Sequence, residues 1–120
     1  VTRVAGNIAT PEIIGSLEYG AAVLGVRVVM VLGRGACGAV TAAIARKSVP
    51  GQISALYAPL RPAVEQAGPD VEATIRANAR IQAKVLRDAS PVIGGLVAQG
   101  KLKVVAAYYD LSSGVVTALG

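Results

Sequence analysis

The 120-residue chain has no histidine, phenylalanine or tryptophan, and only one cysteine, Cys37, and one methionine, Met30. Without histidine there is no Ser-His or Cys-His nucleophile pair, no imidazole ligand and no side chain that shuttles protons near neutral pH. A lone cysteine rules out an intrachain disulfide and a zinc site made of cysteines alone. Four tyrosines are the only aromatics, too few to interleave with basic residues as a single-strand nucleic-acid groove requires. No apolar stretch nears the roughly 20 residues that span a bilayer, because Arg, Glu, Gly or Pro interrupts each one. The charged, apolar and small-residue succession of a secretory signal is missing as well. These gaps point to a soluble, cytoplasmic protein that engages neither nucleic acid nor membrane.

What is there suits a folded domain. Apolar residues make up 53% of the chain and charged ones 16%, a balance that can bury a core and argues against disorder. The length fits one domain over residues 1–120. A net charge of +5 permits an acidic partner, yet only Arg46 and Lys47 are adjacent among twelve basic residues. Scattered charge of this kind reads as solvated surface.

Along the chain, Val1 to Ala5 predicts a short β-like stub before a Gly6-Asn7 turn. Thr10-Pro11-Glu12 predicts a helix start, with Thr10 as the N-cap and Pro11 at the first helical position. Ile13, Leu17, Ala21 and Leu24 then recur at helical spacing, and Gly25 closes the segment. Arg27 to Gly33 is a continuous apolar run with the look of a strand buried on both faces. After a glycine-rich turn, Ala39 to Ala45 is predicted helical, Ser48 to Gly51 a loop, and Gln52 to Glu65 a helix broken or kinked near Pro59 and Pro62. Pro69 opens the longest helix, with Asp70 and Glu72 in its first turn and Arg87 in its last. Ser90-Pro91 starts a short helix ending at Gly100. Strands are predicted at Lys103 to Tyr109 and Val115 to Leu119, joined by a hairpin loop at Asp110 to Gly114. The alternation implies an α/β layer fold, its sheet mainly parallel with an antiparallel terminal strand.

Gly33-Arg34-Gly35-Ala36-Cys37-Gly38 matches G-x-G-x-x-G between a strand and a helix, where backbone N–H groups could cradle a pyrophosphate. The acidic ribose partner belongs about 20 residues further on. That region is Ala55-Leu56-Tyr57-Ala58-Pro59-Leu60, with neither an acid nor a strand. Nucleotide binding through Gly33 to Gly38 is therefore the weaker reading.

A second reading accounts for more of the chain. Arg3-Val4-Ala5-Gly6-Asn7, Ser16-Leu17-Glu18-Tyr19 and Val31-Leu32-Gly33-Arg34-Gly35-Ala36-Cys37-Gly38-Ala39 together resemble the β-class carbonic anhydrases. So do Val49 to Ser54, Ile75-Arg76-Ala77-Asn78-Ala79 and Gly100 to Asp110. In that family an Arg-Asn-Ala-Gly-Asn strand end precedes a Ser-Leu-Glu-Tyr helix and a strand running into Gly-His-x-x-Cys-Gly-Ala. Val4 departs from the pattern at its first Asn, and Gly35 has no family role. The resemblance implies a zinc ion held by two cysteines and a histidine, with water or an aspartate as fourth ligand, generating hydroxide to attack CO₂.

By that resemblance the first cysteine lies in a Cys-x-Asp-x-Arg motif upstream of Val1, together with the central first strand of the sheet. Arg34 stands at the histidine position, and Cys37 is the sole surviving ligand position. A guanidinium stays protonated and offers no lone pair, and one thiolate does not make a zinc site. The resemblance thus implies a degenerate, metal-free site with no catalytic residues and no expected cofactor, unless zinc is completed in trans.

Two functions stay open. One is a structural, oligomerising or anion-binding module, with bicarbonate or another small oxyanion held near Arg34, Gly35, Gly38 and Gly6. The other is a carbonic anhydrase (carbonate dehydratase) completed by a partner chain or an upstream segment. The simpler reading of Arg34 alone is that it points to solvent or pairs with a carboxylate. Cys37 could be a buried apolar residue or a reactive thiol activated by Arg34 and a helix terminus. Asn78 reads as a helix-surface residue and Asp110 as a hairpin-turn residue. The family's habit of assembly implies a homo-oligomer.

Overall fold

In the computed structural model, which describes residues 1–120, one three-stranded sheet carries five helices. Strand β1 is Val28–Arg34, β2 is Lys103–Tyr109 and β3 is Val116–Leu119, in that spatial order. β1 and β2 run parallel, Val28 opposite Lys103 and Arg34 opposite Tyr109. β2 and β3 run antiparallel, with Tyr109 opposite Val116. The predicted fold class is found: a parallel pair with an antiparallel terminal strand. β1 pairs on one side only, so its far edge is open. No helix is long and apolar enough to cross a membrane.

Local chemistry sets the helix ends. Helix α1, Pro11–Ala22, starts as expected: Thr10 Oγ1 accepts from the Ile13 N–H at 3.4 Å, and Pro11 supplies a preset φ where no N–H is needed. It stops before Leu24, which is 67% exposed. Helix α2 is Gly38–Ala45, followed by a 3-10 helix, Gly51–Leu56, and helix α3, Tyr57–Ala67. The break in this region falls at Leu56, ahead of both prolines. Pro59 lies in the first turn of α3, where a missing N–H costs nothing, and the helix continues through Pro62. Asp70 caps helix α4, Val71–Ala89, by accepting from Ala73 N–H at 2.9 Å. Ser90 caps helix α5, Pro91–Ala98, and also donates to Glu18 Oε2 at 2.6 Å, tying α1 to the α4–α5 corner.

Helix α4 is the central support. Ala79, Ala83 and Leu86 pack on Val29, Val31, Val104 and Ala106 of the sheet, with Ala21 of α1 and Ile93 of α5 closing the same core. A second core gathers Val40 and Ala43 of α2, Leu60 of α3, Ile75 of α4, Ile8 and Tyr108. Every strand residue in these cores lies on one sheet face. Burial along β1 accordingly alternates, and Val28, Met30 and Leu32 are 53%, 51% and 41% exposed. The expectation of a strand buried on both faces is thus corrected, because all five helices pack on the same side. The expected stub at Val1 to Ala5 forms no strand either. It has no neighbouring strand to complete a ladder.

Asn78 corrects another expectation. It is 2% exposed, and its Nδ2 donates to the Gly6 carbonyl at 2.8 Å and the Asn7 carbonyl at 3.3 Å. Gln82, one turn on, donates to Asn78 Oδ1 at 3.1 Å and accepts from the Ala9 N–H at 2.9 Å. This buried amide pair holds the loop before α1 on the helix. Replacing Asn78 by Ala strands the Gly6 carbonyl without a donor and should cost about 1–3 kcal/mol. Urea unfolding of the variant checks it; an unchanged midpoint would show that the amide pair contributes nothing.

Candidate functional site

The parallel strands β1 and β2 both run toward the glycine-rich turn, so the Gly33-to-Gly38 segment lies at the carboxyl end of the sheet. Gly33 is buried under α4: a Cβ there would meet Ile75 Cγ2 at 3.1 Å and the Ile75 carbonyl oxygen at 3.3 Å. Gly35 is tighter still, since its Cβ would fall 2.6 Å from Tyr108 Oη and 3.2 Å from Glu72 Oε1. Gly35 is therefore a steric requirement of the turn. Ala36 follows with φ of 57°, a left-handed conformation that costs a non-glycine residue roughly 1–2 kcal/mol.

Glu72 offsets that cost. Its carboxylate accepts from the Ala36 N–H at 3.3 and 3.4 Å and from Tyr108 Oη at 3.0 Å. The Gly35 N–H donates to the Tyr109 carbonyl at 2.9 Å, so helix, turn and strand are joined at one point. Arg76, one turn further along α4, lies over the Tyr108 ring with its guanidinium carbon 4.4 Å from the centroid. Burial, reinforced by the bond to Glu72 and that carboxylate's charge, raises the Tyr108 pKa above 10.0, while Arg76 pulls the other way. Beside this cluster, Arg76, Tyr108, Asp110, Ser113, Val115, Thr117 and Leu119 line a shallow cavity of about 320 Å³. Asp110 belongs to the β2–β3 hairpin as expected; hydrogen bonds from the Ser112 side chain and backbone hold its pKa below 3.8.

The residues singled out by sequence divide around this turn. Arg34 ends β1, ahead of the helix rather than at its start, and is exposed with no ion pair inside the chain. Cys37 is the N-cap of α2, half-buried against the second core, its thiol free. Gly38 is the first residue of α2, with open space where a Cβ would point. Gly6, at φ +82°, packs against Ala39 in the first turn of α2 and against Leu60. Next to it, Asn7 Nδ2 is the one buried side-chain polar atom without a partner. Ala55 to Leu60 is helical, so no strand presents a carboxylate to a nucleotide at this turn.

The sequence marks Glu72 only as a helix-start acid and Tyr108 only as a strand residue, for nothing local reveals that they meet. Asn78 did carry a signal: it shares a helical stripe with Ile75, Gln82 and Leu86, all of them buried.

Comparison with known proteins decides the kinship. The family model described as carbonic anhydrase matches residues 1–116. The chain belongs to the β-carbonic anhydrase family. It is similar to carbonic anhydrase 2 of Mycobacterium tuberculosis, 30% identical over 125 residues that cover 95% of this chain and 59% of the relative. The chain thus spans about three fifths of the length of the curated relatives it matches. Among solved structures, one of two tetrameric β-carbonic anhydrases of Sordaria macrospora superposes with a TM-score of 0.84 at 26% identity, over 100% of this chain and 67% of that one. A β-carbonic anhydrase of Aspergillus fumigatus gives 0.85 at 26% identity, over 98% of this chain and 62% of the other.

No group of three or more His, Cys, Asp or Glu side chains converges anywhere to hold a metal. At the glycine turn the sole soft donor is Cys37, and Arg34 offers none. By themselves the donors at this turn do not fit a zinc ion.

Removing the Tyr108 hydroxyl tests the electrostatics. The fold holds this proton more tightly than the unfolded chain does, so the contribution is whole below pH 10.0 and declines as pH rises through the higher folded value. Tyr108→Phe should be about 1 kcal/mol less stable at neutral pH and should lose less stability than wild type above pH 10.0. Parallel alkaline unfolding curves for the two proteins would refute the assignment.

Proposed function

We propose that this chain is a β-carbonic anhydrase-family module that binds bicarbonate or a similar small oxyanion at the Gly33-to-Gly38 turn without turning it over. The donor set carries this reading. Zinc chemistry needs three protein ligands around one ion, whereas the turn offers a single thiol, with an obligate cation at the position the family gives to histidine. That cation, exposed and unpaired at the end of β1, suits an anion instead. Support also comes from the first turn of α2, whose N–H groups face the same end of the sheet, and from the unpartnered Asn7 amide beside Gly6.

The proposal includes self-association and a cytoplasmic setting. An open strand edge and a sheet face bearing exposed Val28, Met30, Leu32 and Val116 are surfaces that a second copy would cover. The solved Sordaria macrospora relatives are tetrameric. The second reading, an active enzyme whose zinc site is completed by another chain or segment, keeps Cys37 as a ligand.

Three measurements separate these readings. Metal analysis of the purified protein should find far less than one zinc per chain; stoichiometric zinc lost on Cys37→Ser would establish the second reading instead. Calorimetry should give bicarbonate binding that weakens about tenfold in Arg34→Ala, the loss of one charge-assisted contact; no heat from either protein ends the anion proposal. Light scattering should return a multiple of 12.1 kDa, and a monomer at high concentration would contradict self-association.

A further inference from the structure

Glu72 is the one side chain from a distant element that hydrogen-bonds to the backbone of the glycine turn. Its carboxylate rests on two donors from different elements, the Ala36 N–H and the Tyr108 hydroxyl, with the Arg76 guanidinium on the ring of that same tyrosine. Those donors are what a free carboxylate or bicarbonate ion needs: a backbone N–H fixed by a left-handed residue, a hydroxyl held by burial, and a nearby cation. A Cβ at Gly35 would fall against the Tyr108 hydroxyl and Glu72 Oε1, so the glycine leaves that space to them.

We infer that Glu72 is the resident anion of the turn, and that an external oxyanion enters this cradle only in exchange for it. The inference deepens the anion-binding reading and rests on it for its physiological meaning, though the cradle itself can be tested without bicarbonate. Geometry supports exchange over simple bracing. Glu72 is half-buried in the first turn of α4, so its side chain can swing to solvent without disturbing the helix, whereas both donors are fixed in the backbone or the core. A carboxylate that leaves uncovers a preformed receptor.

Chemical rescue reads this directly. Glu72→Ala removes a CH₂–COO⁻ group, a fragment that acetate matches in shape and charge. The variant should be less stable than wild type in sodium chloride. With about 100 mM sodium acetate at matched ionic strength its unfolding midpoint should rise by several degrees, as a ligand bound only to the folded state requires. Wild type should respond in the same direction but far less, because Glu72 competes with acetate for the cradle. NMR should show the Ala36 amide of the variant moving with acetate, and the double variant Glu72→Ala with Tyr108→Phe should bind it about tenfold more weakly. Should Glu72→Ala fold poorly, Glu72→Gln keeps the shape and drops the charge. A midpoint equal to wild type for Glu72→Gln would mean the turn wants no anion, and would overturn the inference. So would an alanine variant whose stability and Ala36 resonance ignore acetate. If acetate rescues the variant while bicarbonate gives no heat with wild type, the cradle stands and the bicarbonate reading falls.

Discussion

Small residues along one stripe of α4 govern how closely that helix approaches the sheet. Ala79 and Ala83 lie flat on Val29, Val31, Val104 and Ala106, and Gly33 lets the Ile75 side chain and backbone settle directly on β1. Bulk at any of these positions would lift the helix, since packed interiors absorb even one extra methylene poorly. The close approach then brings the start of α4 within reach of the turn at the end of β1. There Glu72 touches Ala36 and Tyr108, and Gly35 leaves no side chain in the space that the carboxylate and the hydroxyl share.

The same helix organises the polar interior. Asn78 and Gln82 hold the loop that carries Gly6, Asn7 and Ala9, and Ser90 reaches back to Glu18. Each buried side-chain polar atom but one finds a partner, as a dense core demands; the exception is Nδ2 of Asn7, the residue after Gly6. The single ion pair, Lys84 with Asp88, is exposed and adds little. Stability here comes from burial and hydrogen bonds, with electrostatics concentrated at Glu72, Arg76 and Tyr108.

Much of this was legible from local chemistry. Thr10-Pro11, Asp70 and Ser90-Pro91 marked helix starts because capping depends on neighbours only a few residues away. The hairpin at Asp110 to Gly114 and the strand from Lys103 to Tyr109 were legible for the same reason. Long-range facts escaped. A run such as Val28-Val29-Met30-Val31-Leu32 looks alike whether one face or both are covered, because the covering helices lie elsewhere in the chain. Asn78 looked like surface because its partners, the Gly6 and Asn7 carbonyls, are some seventy residues away. In the candidate site, Arg34, Cys37 and Gly38 stood out through motif spacing. Glu72 and Tyr108 join it only through tertiary packing, and Gly35 gained its reason only from them.

The register of the parallel pair has a kinetic consequence. Val28 sits opposite Lys103, so more than half the chain lies between the two strands that form the backbone of the sheet. Loop closure on that scale must be accomplished before the pairing returns any enthalpy, and such topologies reach their native state slowly. The β2–β3 hairpin and α4 are local and can assemble early. Of the strand pairings, that of β1 with β2 therefore carries the larger closure entropy.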